Sequence, residues 1–281
     1  MKIPEINIQN KVNIPILGLG TWEMGGREKP DFSRDKQWIQ AIETALELGI
    51  RHIDTAERYG GGHCEELLGT ACKGVPREKL FITTKVSGEN LRYERVLRSA
   101  ENSLKRLQTD YIDLYLLHWP NPAIPVSETM RALHHLIEEG LIRHVGLSNY
   151  SVPEMLEVMA HTDQAIITNQ LEYNLLTRNN GRFTPKVEQD IMPFCLRHGI
   201  SITAWRPVVK GDTAGLQRPE VMKLAKKYDK TPVQIALNWL FSKSLMLTVP
   251  KMSSRQHIIE NIEALHFSME DEEYTMLDGM R

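Results

Sequence analysis

The sequence predicts one α/β domain over residues 1–281, folded as a (β/α)8 TIM barrel. The prediction rests on about eight short apolar runs, on helical patterns between them, and on a sequence with no low-complexity tract or long linker to mark a domain boundary. Each run is too short for a helix and is mostly apolar on both alternating faces, which is typical of strands covered on both sides. Repeated right-handed crossovers in one domain of this length favour a closed barrel.

The predicted barrel strands occur at the intervals expected of βα units. They are 14–20, 51–55, 80–86, 111–118, 143–149, 164–170, 200–205 and 245–250. Ahead of them, the segment 6–17 alternates apolar and polar residues around a turn at 9–11. We therefore expect an N-terminal β-hairpin that closes the barrel floor.

The segments between the strands have the period of amphipathic helices. The helix predicted at 35–49 stops at Gly49, and the one at 93–108 carries an apolar stripe along one face. The segment 151–161 begins with Ser151 as a helix N-cap. An extra helical segment fills the widest gap, which precedes the last strand.

The alternative architecture is a doubly wound sheet that binds a dinucleotide through a glycine fingerprint. Gly18-Leu19-Gly20 begins like that motif, but Glu23 holds the position of the third glycine. The spacing therefore favours the barrel.

The composition excludes several classes of protein. The chain has 34 basic and 36 acidic residues, a formal net charge of −2, and offers no field for attracting nucleic acid or an anionic membrane. It contains no apolar stretch that would serve as a signal peptide or membrane span, so we expect a cytoplasmic protein. Cys64, Cys72 and Cys195 have no C-x-x-C spacing, and no metal site is expected.

Ionisable residues end three successive predicted strands: Asp54, Lys85 and His118. The carboxyl ends of barrel strands carry the active site, so these side chains should converge. Tyr59 follows Asp54 in a loop whose glycines at 60–62 allow a tight return over the barrel mouth.

These four side chains suit the protonation of an oxygen on which negative charge develops. An ammonium beside a phenol favours the phenolate, and a buried aspartate keeps the lysine charged and aimed. A histidine nearby can hold a carbonyl oxygen or help to pass a proton. Reduction of a carbonyl by hydride needs such a set.

A series of motifs occurs in order along the chain: GLGTW (18–22), DTAERYG (54–60), TTK (83–85), DLYLLHWP (113–120), VGLSNY (145–150), NQLEYN (169–174), TAWRP (203–207), VPK (249–251) and ENIEAL (260–265). Together they resemble the motifs of the aldo-keto reductases. The resemblance covers nearly the whole chain and is to a short, microbial-type member. It implies an NADPH-dependent reductase of aldehydes or ketones, with weaker use of NADH. Asp54, Tyr59, Lys85 and His118 fall on the family's catalytic tetrad, with Tyr59 as the general acid.

The resemblance also implies a cofactor site. Ser148, Asn149 and Gln170 would hold the nicotinamide carboxamide. Trp205 stands where the family usually has a stacking tyrosine, and Arg206 replaces a common serine and could reach the pyrophosphate. Phosphate contacts would come from Lys251, Ser253, Arg255 and His257, and adenine contacts from Glu260 and Asn261. His257 stands where many members have an arginine, so the clamp on the 2′-phosphate should be partly titratable.

Trp22 and Trp119 should wall the substrate site, because both lie at strand ends beside tetrad members. The loop 208–219 is short and the chain ends soon after its last helix, so we expect an open, permissive pocket for small carbonyl substrates. The alternative function is a non-catalytic, cofactor-binding regulatory subunit of the same fold, and metal-dependent hydrolysis is disfavoured. The physiological substrate and the oligomeric state are not readable from the sequence, with a monomer slightly favoured.

Overall fold

The computed structural model describes residues 3–208 and 213–280. Two strands form an N-terminal hairpin and eight parallel strands form the barrel. The strands are β1 (Glu5–Ile8), β2 (Val12–Pro15), β3 (Gly18–Gly20), β4 (His52–Asp54), β5 (Phe81–Val86), β6 (Ile112–Leu117), β7 (Ile142–Ser148), β8 (Ile166–Glu172), β9 (Ser201–Trp205) and β10 (Met246–Thr248). The predicted barrel and hairpin are confirmed.

Helices connect the strands and cover the outside of the barrel. They are α1 (Asp35–Glu47), α2 (His63–Ala71), α3 (Tyr93–Leu107), α4 (Val126–Glu138), α5 (Val152–Met159), α6 (Met192–Arg197), α7 (Pro219–Tyr228), α8 (Pro232–Phe241), α9 (Arg255–Glu263) and α10 (Asp271–Asp278). Ser151 stands at the N-cap of α5 as predicted, and its backbone N–H donates to the carboxylate of Glu154 at 2.7 Å. Both α7 and α8 lie in the wide gap before the last strand.

Neighbouring strands pair in chain order from β3 to β10, and the barrel closes where these two meet. The amide of Gly20 donates to the carbonyl of Pro250 at 2.9 Å, and Gly20 also bridges to Lys251. A Cβ at Gly20 would lie 2.2 Å from the carbonyl oxygen of Val249, so only glycine permits this approach. The closure places the loop after β3 beside the segment that follows β10.

The first predicted strand, 14–20, is longer than the strand in the structure. Residues 14–15 belong to β2 of the hairpin, and the barrel strand β3 begins at Gly18. A continuous apolar run does not show where the chain turns from one sheet into another, because both halves of the run are buried.

The hairpin lies across the amino ends of the strands. Its Ile8 and Ile14 are fully buried in a cluster with the inward-facing Leu114, Leu116 and Ile167 of the barrel. At its turn, the amide Nε2 of Gln9 donates to the carbonyl of Ile166 at 3.0 Å. The floor is therefore closed by apolar packing and is fixed to β8 by hydrogen bonding.

Of the ten helices in the part of the chain that the structure describes, none is both long and apolar enough to cross a membrane. A cytoplasmic location stays a prediction. The predicted short loop 208–219 includes residues 209–212, which lie outside the described residues.

Candidate active site

The carboxyl ends of three adjacent strands bring the predicted catalytic side chains together. Asp54 is the last residue of β4, Lys85 lies near the end of β5, and His118 directly follows β6. These strands are parallel neighbours, so their side chains meet at the same mouth of the barrel.

The turn after β4 returns Tyr59 to the mouth. Gly60, Gly61 and Gly62 have φ angles of 58°, 63° and 100°, in the left-handed region that glycine adopts without strain. A Cβ at Gly60 would lie 2.4 Å from the carbonyl oxygen of Gly25. The turn therefore packs directly against the loop after β3. The Tyr59 side chain is buried, with 7% of its surface exposed.

The Lys85 ammonium uses all three of its protons within the site. Its Nζ donates to Asp54 Oδ1 at 2.7 Å, to the carbonyl of Thr55 at 2.7 Å and to the Tyr59 hydroxyl oxygen at 3.2 Å. Burial opposes the charged form of Lys85, but the Asp54 carboxylate and the bonds to Asp54 and Tyr59 outweigh it and raise the pKa of Lys85. Lys85 is therefore a buried cation at neutral pH.

The Tyr59 phenol stays protonated at neutral pH. Burial raises its pKa, and the opposing influence of the Lys85 ammonium is smaller, so the net shift is upward. The sequence indicated that lysine would favour the phenolate; that influence is present, but burial exceeds it. Because Lys85 occupies the phenol oxygen as a donor, the Tyr59 O–H is left to donate to another acceptor.

The His118 ring is neutral and has a free buried nitrogen. Burial together with the nearby cations Lys85 and Arg58 holds the pKa of His118 well below its usual value. Its Nδ1 is buried without a hydrogen-bond partner in the described residues. The ring stands edge-on to Tyr59 with centroids 5.9 Å apart, so it can face the same ligand atom.

Trp22 and Trp119, the predicted walls of the substrate site, border this group. The Trp22 ring meets the Tyr59 ring edge-on at 4.9 Å, and the Trp119 ring lies 4.5 Å from His118. Trp22 keeps 36% of its surface exposed, which leaves one face available to a ligand. The two indoles thus form apolar walls beside the O–H of Tyr59.

The predicted carboxamide residues also cluster at the mouth. Asn149 donates from Nδ2 to Ser148 Oγ at 3.0 Å and to the carbonyl of His118 at 3.1 Å. Gln170 donates from Nε2 to Asp54 Oδ2 at 2.7 Å. Trp205 donates from its indole N–H to Asn149 Oδ1 at 3.4 Å, which links the aromatic platform to the amide group.

Arg206 is held beside Trp205. Its Nη1 donates to Glu172 Oε1 at 3.0 Å, and its guanidinium carbon lies 4.7 Å from the centroid of the Trp205 ring. Its backbone has φ of 52°, in the left-handed region. The guanidinium of Arg206 therefore already binds the largely buried carboxylate of Glu172. To make the predicted contact, the pyrophosphate would have to share the guanidinium with that carboxylate.

The predicted phosphate residues surround the start of α9. Lys251, Ser253, Arg255 and His257 are all exposed there, and Ser254 caps the helix by accepting from the backbone N–H of His257 at 3.2 Å. The Lys251 ammonium is bound to Glu23 Oε2 at 2.8 Å. This concentration of cations at a helix N-terminus suits a phosphate group.

The two predicted adenine residues differ in their surroundings. Asn261 is buried at 4% exposure, and its side-chain amide makes no hydrogen bond within the described residues. The carboxylate of Glu260 accepts from the hydroxyl of Thr231, which joins α9 to the start of α8. Asn261 thus keeps its hydrogen-bonding capacity for a ligand, whereas Glu260 is already engaged.

Taken together, these groups fit a nicotinamide dinucleotide phosphate. An aromatic platform and an amide cluster stand beside the catalytic group, and cations gather at a helix start on the same barrel mouth. Residues 3–208 and 213–280 contain no group of three His, Cys, Asp or Glu side chains that could hold a metal ion.

Sequence reasoning missed four residues of the site. Thr21 donates from its hydroxyl to the carbonyl of Asp54 at 2.9 Å, and Thr55 supplies the carbonyl that binds Lys85. Glu172 binds Arg206, and Glu23 binds Lys251. Glu23 and Lys251 lie 228 positions apart in the sequence, so no local pattern indicates that they pair. The available signal was that the first and last strands, β3 and β10, are neighbours in a closed barrel.

The closed (β/α)8 barrel carries a buried Lys85–Asp54 pair and a tyrosine at its mouth, a group suited to protonating a carbonyl oxygen, and the chain matches a family of reductases. The profile described as "Aldo/keto reductase family" matches residues 16–281. The chain therefore belongs to the aldo/keto reductase family and is an oxidoreductase, as predicted from the sequence.

Individual relatives match over most of their length. The chain is 32% identical to a methylglyoxal reductase of Escherichia coli over 277 residues, covering 97% of this chain and 93% of the relative. A thermostable aldo-keto reductase solved with the inhibitor epalrestat superposes with a TM-score of 0.92 at 40% identity, covering 98% and 99% of the two chains. A Klebsiella pneumoniae aldo-keto reductase solved with NADPH gives 0.88 at 32% identity, covering 99% and 95%.

Proposed function

We propose that the protein reduces aldehydes or ketones to alcohols with NADPH, with Tyr59 as the general acid. The observation that carries the proposal is the saturation of the Lys85 ammonium by Asp54, Thr55 and Tyr59, which leaves the Tyr59 O–H free to donate. The Klebsiella relative was solved with NADPH, which supports this choice of cofactor.

When bound, the nicotinamide supplies the hydride. The chain's own residues act on the carbonyl oxygen: Tyr59 donates its proton there, and the neutral His118 ring donates a hydrogen bond that orients the same oxygen. As the proton leaves Tyr59, negative charge grows on the phenol oxygen 3.2 Å from the Lys85 ammonium. Lys85 thus stabilises the charge that forms as the phenol loses its proton.

The cofactor is held in three places under this proposal. Ser148, Asn149 and Gln170 bind the carboxamide, and Trp205 stacks on the nicotinamide ring. Lys251, Ser253, Arg255 and His257 bind the 2′-phosphate, which accounts for NADPH being favoured over NADH. The unpaired side-chain amide of Asn261 binds the adenine. Glu260 already binds Thr231 and Arg206 already binds Glu172, so each contributes only by sharing its charged group between that partner and the cofactor.

The substrates are small carbonyl compounds. The Trp22 and Trp119 walls stand close to Tyr59 and offer apolar surface with few polar contacts, so small and aromatic aldehydes should enter with modest discrimination. The E. coli relative is named for methylglyoxal, which makes small dicarbonyl compounds the first substrates to test.

The test is steady-state oxidation of NADPH in the presence of methylglyoxal. Tyr59→Phe removes the proton donor and little volume, so kcat should fall by about 10²- to 10⁴-fold while the Kd for NADPH stays within about twofold. Tyr111→Phe is the matched control, because Tyr111 lies before β6 at the opposite end of the barrel, with its ring between Arg77 and Arg143.

Two results would contradict the proposal. Retention of more than a few per cent of kcat in Tyr59→Phe would exclude Tyr59 as the acid. NADPH binding by the unaltered protein without turnover of methylglyoxal or any of a panel of aldehydes and ketones would favour the non-catalytic regulatory subunit.

A further inference from the structure

Glu23 lies between two cations beside the predicted phosphate site. Its Oε2 is 2.8 Å from the ammonium of Lys251, and its Oε1 is 2.8 Å from Nε of Arg27. The side chains of Glu23 and Lys251 are 28% and 37% exposed, so solvent screens their attraction less than it does for fully exposed pairs. Lys251, the predicted phosphate-binding cation that lies nearest to Glu23, is therefore already neutralised by a carboxylate.

The backbone fixes this pairing. Lys251 bridges to Gly20 where the barrel closes, and Glu23 follows Gly20 by three residues. Glu23 has φ of 71°, a left-handed conformation that a non-glycine residue rarely adopts, and it bridges to Gly26 across a tight turn. Both partners are thus held by main-chain contacts that do not depend on their side chains.

The charge on Glu23 persists at neutral pH. Partial burial raises the pKa of the carboxyl, but the hydrogen bonds and charges of Lys251 and Arg27 outweigh burial and lower it overall. By contrast, Arg255 is 3.9 Å from Glu47 and the two side chains are 63% and 71% exposed, so this second cation is only loosely paired.

We infer that Glu23 is a specificity-determining residue that weakens the preference for NADPH over NADH by competing with the 2′-phosphate for Lys251. The inference rests on the proposed function, in which Lys251 binds that phosphate. An arriving phosphate must displace the Glu23 carboxylate or share the ammonium with it, and in either case it meets a negative charge. NADH has no phosphate at this position and escapes the competition.

The experiment measures the Kd of NADPH and of NADH by fluorescence on the full chain. Glu23→Gln keeps the shape and removes the charge, so the Kd for NADPH should fall by about 3- to 10-fold. The Kd for NADH should change by less than about twofold. Glu43→Gln, on the exposed side of α1, makes the same change in net charge and should alter neither constant.

Two further variants test the route of the effect. Glu23→Asp keeps the charge, so the Kd for NADPH should remain closer to that of the unaltered protein than the Kd of Glu23→Gln does. In a Lys251→Met background, the gain in NADPH affinity from Glu23→Gln should be smaller than in the unaltered protein, because the contested ammonium is gone and only direct repulsion between Glu23 and the phosphate remains. Thermal unfolding of each variant verifies that it is folded.

The outcomes separate the inference from the proposed function. Three results for Glu23→Gln would each contradict the competition between Glu23 and the 2′-phosphate. They are an equal decrease in the Kd of both cofactors, an unchanged Kd for NADPH, and a higher Kd for NADPH. If the unaltered protein binds neither NADPH nor NADH, the proposed function itself fails. Binding of NADPH with no response to Glu23→Gln overturns the inference alone.

Discussion

Gln170 and Asp54 face each other across the barrel mouth, with Nε2 of the amide 2.7 Å from Oδ2 of the carboxylate. Lys85 binds the other oxygen of Asp54 at the same distance. Since the amide nitrogen is engaged, the carbonyl oxygen of Gln170 is left to accept from a ligand. One side chain therefore joins the predicted carboxamide site to the buried ion pair.

Gln170→Met should weaken NADPH and NADH to the same extent. The substitution removes the acceptor for the carboxamide, a group that both cofactors share, and a hydrogen bond of this kind corresponds to a change in Kd of about 3- to 10-fold. Fluorescence titration with both cofactors checks it. A loss confined to NADPH would place Gln170 away from the nicotinamide.

Lys85→Met should reduce both turnover and stability. It leaves the Asp54 carboxylate buried without its ion-pair partner, which costs about 3 kcal/mol in the free energy of unfolding. Adding Asp54→Asn removes the stranded charge, so thermal unfolding should recover while kcat stays low. Recovery of kcat in the double variant would show that Lys85 acts only on stability.

His63 should make stability depend on pH. Its Nε2 lies 2.9 Å from Asp35 and its Nδ1 2.8 Å from Glu66, which joins the start of α1 to α2. Burial disfavours the charged ring, but the bonds to Glu66 and Asp35 outweigh burial and raise the pKa of His63. The stabilisation is fully present below the unfolded pKa of histidine, about 6.5, and is lost as the pH rises through the raised folded pKa.

The melting temperature should therefore fall between about pH 6 and pH 8.5, and part of this fall should be missing in His63→Gln. His161→Gln is the control, because His161 is exposed beyond the end of α5. Parallel melting curves for the unaltered protein and His63→Gln at both pH values would contradict the prediction.

His257→Arg should strengthen NADPH binding. An arginine is always charged and can bind a phosphate through two parallel N–H groups, a geometry that an imidazole does not offer. Titrations of both proteins with NADPH and NADH check it, and the Kd for NADH should not change. An unchanged Kd for NADPH after the substitution would show that His257 does not meet the phosphate.

The placement of Asp54, Lys85 and His118 was predictable, because parallel neighbours in a closed barrel bring their carboxyl ends to one mouth. The turn of Tyr59 was predictable for a local reason, the three glycines that follow it. Both predictions need only the order of the strands and the identity of the residues.

Other features depend on the folded structure and not on the order of residues alone. The direction of the Tyr59 pKa shift depends on how far burial exceeds the influence of Lys85, and a sequence contains no measure of burial depth. The bond between Gln170 and Asp54 depends on side-chain rotamers across the barrel. The division of the run 14–20 between β2 and β3 depends on where the chain leaves one sheet for another.

Because of the hairpin, the folded domain begins earlier in the chain than the region that matches the family profile. The profile begins at residue 16, so β1 and β2 fall outside it. A chain trimmed to that limit would lose Ile8 and Ile14 and would open the lower layer of the barrel, with Leu114 and Leu116, to water. A newly wetted apolar surface of this kind promotes association between molecules, so the shortened chain would tend to aggregate even though every catalytic residue is retained.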